Sequence, residues 1–184
     1  LPPQYTAPGD ALVGLDEDER LEGAYVLAQL TSMLPEQFEG EDAFDPAEML
    51  IAYKRLVVSE ADTPNLNPVI EAFTVDGEDV TGDTPVEIPA ATLLEIGVTI
   101  PALSVESYQF LNASGEVEDR VEEPYATWYT TDGVMGEDVT LYPYTQADWT
   151  SPDEVGTTGR WYVVVRDRRG GMTWHVRDWV VTRK

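Results

Sequence analysis

The chain has 184 residues, no cysteine, and a formal net charge of −24 from 35 acids against 11 basic residues. That length supports a hydrophobic core without staples, and the missing cysteines exclude disulfides, thiol chemistry and Cys-ligated zinc. The negative field opposes nucleic-acid phosphates and anionic lipid surfaces, so neither nucleic acid nor a membrane-spanning role is expected, and no apolar run reaches the ~20 residues a spanning helix needs.

In chain order, Leu1–Gly14 is Pro- and Gly-rich and predicted to be extended. The acids at 16–19 lead into apolar residues at 21, 24, 27, 28 and 30, a spacing that predicts a short helix stopped at Pro35. Gly23 weakens a helix, and a strand through Ala24–Leu30 is the alternative. Residues 36–46 are acidic and loop-like, with a helical turn expected to open at Asp45-Pro46. The domain boundary is therefore placed between 45 and 46: 1–45 as an acidic, partly helical extension and 46–184 as one β domain.

Leu50–Ser59 is rich in β-formers and is read as the first strand of that domain. A turn cluster at 61–68 follows, then a strand over Val69–Val75 closed by the tight-turn pair Asp76-Gly77. Val86–Pro89 reads as a short edge strand. In Leu93–Ile100, the residues Leu94, Ile96, Val98 and Ile100 share one face. Residues 106–122 read as a polar hairpin turning at Asn112–Gly115. Tyr125–Thr131 puts Ala126 and Trp128 on one face, and Tyr125, Tyr129 and Thr131 on the other; Asp132-Gly133 closes it. Val139–Tyr144 is another short strand. Residues 159–182 form a hairpin around Asp167–Gly171. In it Trp161, Val163 and Val165 face one way, while Arg160, Tyr162, Val164 and Arg166 face the other.

Strands recurring every 8–12 residues, without helical crossovers, predict an all-β immunoglobulin-like sandwich. Trp128, Trp161, Val163 and Val165 are its expected core anchors, because indoles bury on the order of 150–250 Å² each.

Trp128-Tyr129 before Asp132-Gly133, then Trp149-Thr150-Ser151-Pro152, then the run from Gly159 to Gly171 resemble the PKD-like and bacterial immunoglobulin-like modules of envelope proteins. Asn65–Val69 resembles the entry to the first strand of such modules. The resemblance covers residues 50–182 and extends to the domain of secreted lipoproteins of Gram-negative bacteria. It implies a periplasmic, outer-membrane-associated or extracellular location, with peripheral or lipid-anchored membrane association. It also implies a lipidated cysteine at the start of the mature chain, which would lie upstream of Leu1 or be absent. Leu1 in place of Met fits upstream processing. The polar hairpin at 106–122 departs from a minimal module.

A Ser-His-Asp arrangement would need His175, the single histidine, which reads as a packed or surface strand residue. No Gly-x-Ser-x-Gly, His-Glu-x-x-His or phosphate-binding loop occurs. The acid runs at 16–19 and 76–79 lack the spacing of a calcium loop and read as solvated. No cofactor, metal site or catalytic residue is assigned, and the expectation is a non-enzymatic protein. Its expected role is that of an accessory subunit binding protein partners in an envelope or surface assembly. Seven basic residues and only two acids fall within 160–184. Arg166, Arg168, Arg169 and Arg177, with Trp174 and Trp179, are the expected partner contacts. The alternative is a carbohydrate-binding module using exposed Trp and Tyr, which requires several of Trp149, Tyr144, Trp174 and Trp179 to lie in solvent together.

Overall fold

The computed structural model describes residues 6–32 and 49–183. The chain divides into two compact units, Leu1–Pro64 and Asn65–Lys184. The expected helical turn at Asp45-Pro46 and the loop at 36–46 lie outside the described residues.

In the first unit, α1 spans Glu17–Glu22 and is closed by a reciprocal cap: Glu19 N–H donates to Asp16 and Asp16 N–H donates to Glu19. Glu17, Asp18 and Glu19 stand in its first turn, where the helix dipole favours negative charge. The helix then stops much earlier than the apolar spacing suggested. Gly23 adopts φ +96°, a conformation costly for residues with a Cβ, and a Cβ there would meet Ser59 and Val58 at 2.8 Å. From Ala24 the chain is a strand, so the expectation of a helix through Leu30 is corrected. β1 (Ala24–Ser32) pairs antiparallel with β2 (Leu50–Val58) over nine residues, from Ala24 opposite Val58 to Ser32 opposite Leu50. Leu50–Val58 is thus a partner of β1 and not the first strand of the sandwich, and the compact β domain begins at Asn65 rather than at residue 46.

The second unit is built from β3 (Ala72–Val75), β4 (Glu78–Asp79), β5 (Val86–Pro89), β6 (Leu93–Thr99), β7 (Ser107–Leu111), β8 (Val117–Val121), β9 (Tyr125–Thr130), β10 (Val134–Met135), β11 (Val139–Leu141), β12 (Gln146–Thr150), β13 (Thr158–Arg166) and β14 (Met172–Thr182). They form two five-stranded sheets, ordered β10-β12-β6-β3-β4 and β11-β9-β13-β14-β5, and a separate β7-β8 hairpin. Within the first sheet the run β3-β6-β12-β10 has the A-B-E-D order of an immunoglobulin-like sandwich; β9-β13-β14 in the second is its C-F-G. β5 pairs parallel with β14 and finishes that sheet. The all-β fold expected from strand rhythm is the fold observed.

Period-two alternation places the core between the sheets. Leu94, Ile96, Val98 and Ile100 are buried from the first sheet; Trp128, Trp161, Val163 and Val165 are buried from the second. Aromatic rings tie the layers together. Phe73 of β3 lies edge-on to Trp128 at 5.9 Å and stacks on Trp161 at 5.7 Å, and Trp149 of β12 meets Trp161 edge-on at 4.8 Å. Such pairs add about 0.5–1.5 kcal/mol each beyond burial. Gly159 makes room for this packing: a Cβ there would sit 2.2 Å from the Trp179 ring.

Candidate functional site

The two sheets turn very different outer faces to solvent. On the first sheet, the outward positions of β6 and β12 include Glu95 opposite Asp148 and Gly97 opposite Gln146, with exposed Leu93 and Val134 flanking Thr150 at one end. On the second sheet, the outward positions form three rows across the strands. One row is Tyr129, Tyr162 and Val176; the next is Val139, Thr127, Val164 and Trp174; the third is Leu141, Tyr125, Arg166 and Met172. Trp174, Tyr129, Val139 and Leu141 are exposed, Trp174 to 65%. A fourth row holds Arg160 and Asp178, joined at 2.8 Å. Asp178 is the one acid in these four rows, in a chain with 35; exposed Glu87 of β5 follows opposite Val180 in the next.

Backbone register produces this surface. β9 and β13 pair from Trp161 opposite Thr130 to Arg166 opposite Tyr125, so every indole that enters the core leaves a tyrosine, valine or arginine beside it on the outside. Arg166 donates to the Thr127 hydroxyl at 3.2 Å and lies 6.0 Å from the Tyr125 ring. Arg168, at φ +69° in the turn, is exposed beside the same ring at 5.8 Å and pairs with Glu123 at 3.3 Å.

Of the six residues expected to meet a partner, Arg166, Arg168 and Trp174 lie on or beside this face. The other three do not, and the expectation is corrected for each. Trp179 is 1% exposed and packs on Trp149 at 5.2 Å inside the sandwich. Arg177 is buried on the same inner side and donates to the Thr84 carbonyl. Arg169 is drawn into a partly buried network: it pairs with Glu122 at 2.8 Å and Glu106 at 3.3 Å, and lies 4.2 Å over the Tyr108 ring. That network ties the base of the β7-β8 hairpin to the β13-β14 turn. Burial pushes the Glu122 carboxyl up, against the lowering effect of the Glu106 N–H and Arg169. Sequence reasoning missed Tyr129, Tyr162, Val176, Val139 and Leu141 as one surface. The available signal was that the faces opposite Trp128 and Trp161 are both aromatic.

Catalytic groupings are sparse. His175 packs 5.8 Å from Phe73, and burial, then the nearby Arg177 charge, pull its pKa down. Among the described residues, no group of three or more His, Asp or Glu is placed to hold a metal ion. A surface groove of about 150 Å³ lies among Leu66, Val69, Leu103 and Ser104. It is smaller than the ~300–1,000 Å³ usual for small-molecule sites.

The chain matches no family model and no curated protein. Among solved structures it is similar to a nucleoside hydrolase-related hypothetical protein from Saccharophagus degradans that is associated with carbohydrate metabolism, at 10% identity and a TM-score of 0.42. The match covers 70% of this chain and 28% of that one. Likeness at this level carries no argument for an activity. The expectation that the chain is not an enzyme is withdrawn, since it rested only on motifs not found; no activity is assigned in its place.

Proposed function

We propose that the chain is an interaction subunit of a larger surface or periplasmic assembly, built on a module of the PKD-like or bacterial immunoglobulin-like type. Its contact with a protein partner is the outer face of the β11-β9-β13-β14 sheet. The observation that supports this reading is the composition of that face. Tyr, Trp, Met and Arg are enriched at interface cores while Asp, Glu and Lys are depleted. The outer rows carry Tyr125, Tyr129, Tyr162, Trp174, Met172 and Arg166, with a single acid already paired.

Size refines the reading. Four strands at about 4.8 Å spacing and five residues at about 3.3 Å give a patch on the order of 300 Å² in projection. A patch of that size on a monomer is often functional, but a standard interface takes about 800 Å² per partner. The contact therefore extends past the rows to flanking groups such as the Arg168 turn. The carbohydrate reading loses Trp149 and Trp179, both buried in the core, and keeps Trp174 and Tyr144, both exposed.

The test is capture from native membranes with the tagged full chain and its Trp174→Ser/Tyr129→Ser variant, alongside a glycan array. A discrete set of proteins retained by the parent and lost by the variant is expected. Capture that ignores the double substitution, or Trp174-dependent glycan binding without a protein partner, overturns the reading.

A further inference from the structure

The β1-β2 ribbon carries a second surface, independent of the sandwich face. Two antiparallel strands alone are marginally stable, and three or more are the usual minimum. Each strand turns about half of its backbone N–H and C=O groups away from its partner. Among the described residues, no strand pairs with the outer edge of either β1 or β2. Both faces of the ribbon are apolar: Tyr25, Leu27 and Leu30 of β1 and Leu50, Ile51 and Tyr53 of β2 are all exposed.

The two edges differ in charge. Proteins blunt open edges with lysine, proline or bulges. β2 has Lys54 and Arg55 at its middle; β1 has nine residues without a charge, a proline or a glycine. A two-fold, antiparallel pairing of β1 with itself centres on Ala28. It sets Val26 opposite Leu30, Leu27 opposite Gln29 and Tyr25 opposite Thr31, all compatible cross-strand pairs. The same operation on β2 sets Lys54 opposite its own copy, and like charges directly opposite are destabilising.

Electrostatics is compatible with a second copy here. β1 carries no charged residue, so two β1 edges meet without carboxylate against carboxylate although the chain as a whole is strongly acidic. In the antiparallel arrangement the acidic α1 helices, each just before its β1, lie at opposite ends of the shared edge. Nine residues at about 3.3 Å separate them by about 30 Å, several times the ~8 Å screening length at physiological salt.

We propose that β1 pairs edge to edge with β1 of a second copy of this chain about Ala28, making a four-stranded sheet of order β2-β1-β1-β2. The full chain is tested by sedimentation equilibrium over a wide concentration range. A monomer–dimer equilibrium is expected. Ala28→Asp puts like charges across the two-fold axis while facing Lys54 within its own ribbon, so the ribbon survives and the dimer dissociation constant rises about tenfold or more. Because the chain has no cysteine, Ala28→Cys and Lys54→Cys each introduce one thiol. On oxidation the first is expected to give a covalent dimer and the second to stay monomeric. A monomer at every concentration, a dimer indifferent to Ala28→Asp, or equal cross-linking from both positions overturns the proposal.

Discussion

Asp167 shows how much one side chain can organise in this fold. It is 1% exposed, yet its carboxylate accepts from Arg169 N–H at 2.7 Å, Gly171 N–H at 2.9 Å and Asn65 Nδ2 at 2.7 Å. The β13-β14 turn closes around it so tightly that a Cβ on Gly171 would fall 1.9 Å from the carboxylate. Asp167→Ala strands buried N–H groups and is expected to cost about 2–4 kcal/mol, read from the urea midpoint. An unchanged midpoint would mean the turn holds without it. His175 sets a pH dependence. Its folded pKa lies below the ordinary 6.5, so the unfolded chain takes up the proton first as pH falls. The stability it contributes is full above about 6.5 and is lost as pH drops through that value toward the folded one. Glu122 acts oppositely: its folded pKa is raised above 4.5, so protonation in acid relieves a cost. Urea midpoints at about pH 7.5 and 5.5 should therefore fall toward acid in the parent and fall less in His175→Phe. Identical pH profiles would exclude this role for His175.

At the scale of elements, alternation carries most of the structure. Trp161→Ala removes a fully buried indole and is expected to cost about 3–5 kcal/mol; Trp174→Ala, on the outer face, should stay within about 0.5 kcal/mol. Equal costs in thermal or urea unfolding would contradict the burial pattern. The buried faces of β6, β9 and β13 were legible in the sequence, because their large apolar residues fall at every second position. β14 was only half legible. Trp174 and Trp179 look alike in composition, but in one unbroken strand residues five apart take opposite faces, so one indole is exposed and the other is core. The expected contacts grouped the two indoles together without applying this parity to the hairpin's second strand. β1 was misread because its spacing at 21, 24, 27 and 28 mimics a helical stripe; the decisive residue is Gly23, whose positive φ ends α1 and starts the strand. The pairing of β2 was not legible at all, since β-forming residues state that a strand exists and not which strand it joins. The contact face was visible only in part: the outward sets of β9 and β13 could be read singly, but their union with β11 and β14 depends on register.

For the whole molecule, the second unit owns a continuous core between its sheets, from Phe73 to Val181. A fragment of residues 65–184 should therefore unfold cooperatively with a midpoint close to that of the full chain; a non-cooperative fragment would show that its core is incomplete. Charge gives the surface its functional contrast. Glu95 and Asp148 stand on the outside of one sheet, while aromatic, aliphatic and arginine side chains form the outer rows of β11, β9, β13 and β14 on the other. The sharpest comparison is between those two faces in the presence of native membrane extract. A photoreactive residue placed at Tyr129 should form adducts with a protein partner, whereas one placed at Asp148 on the opposite face should form none. Adducts from Asp148, with none from Tyr129, would put the contact on the wrong sheet and contradict the assignment.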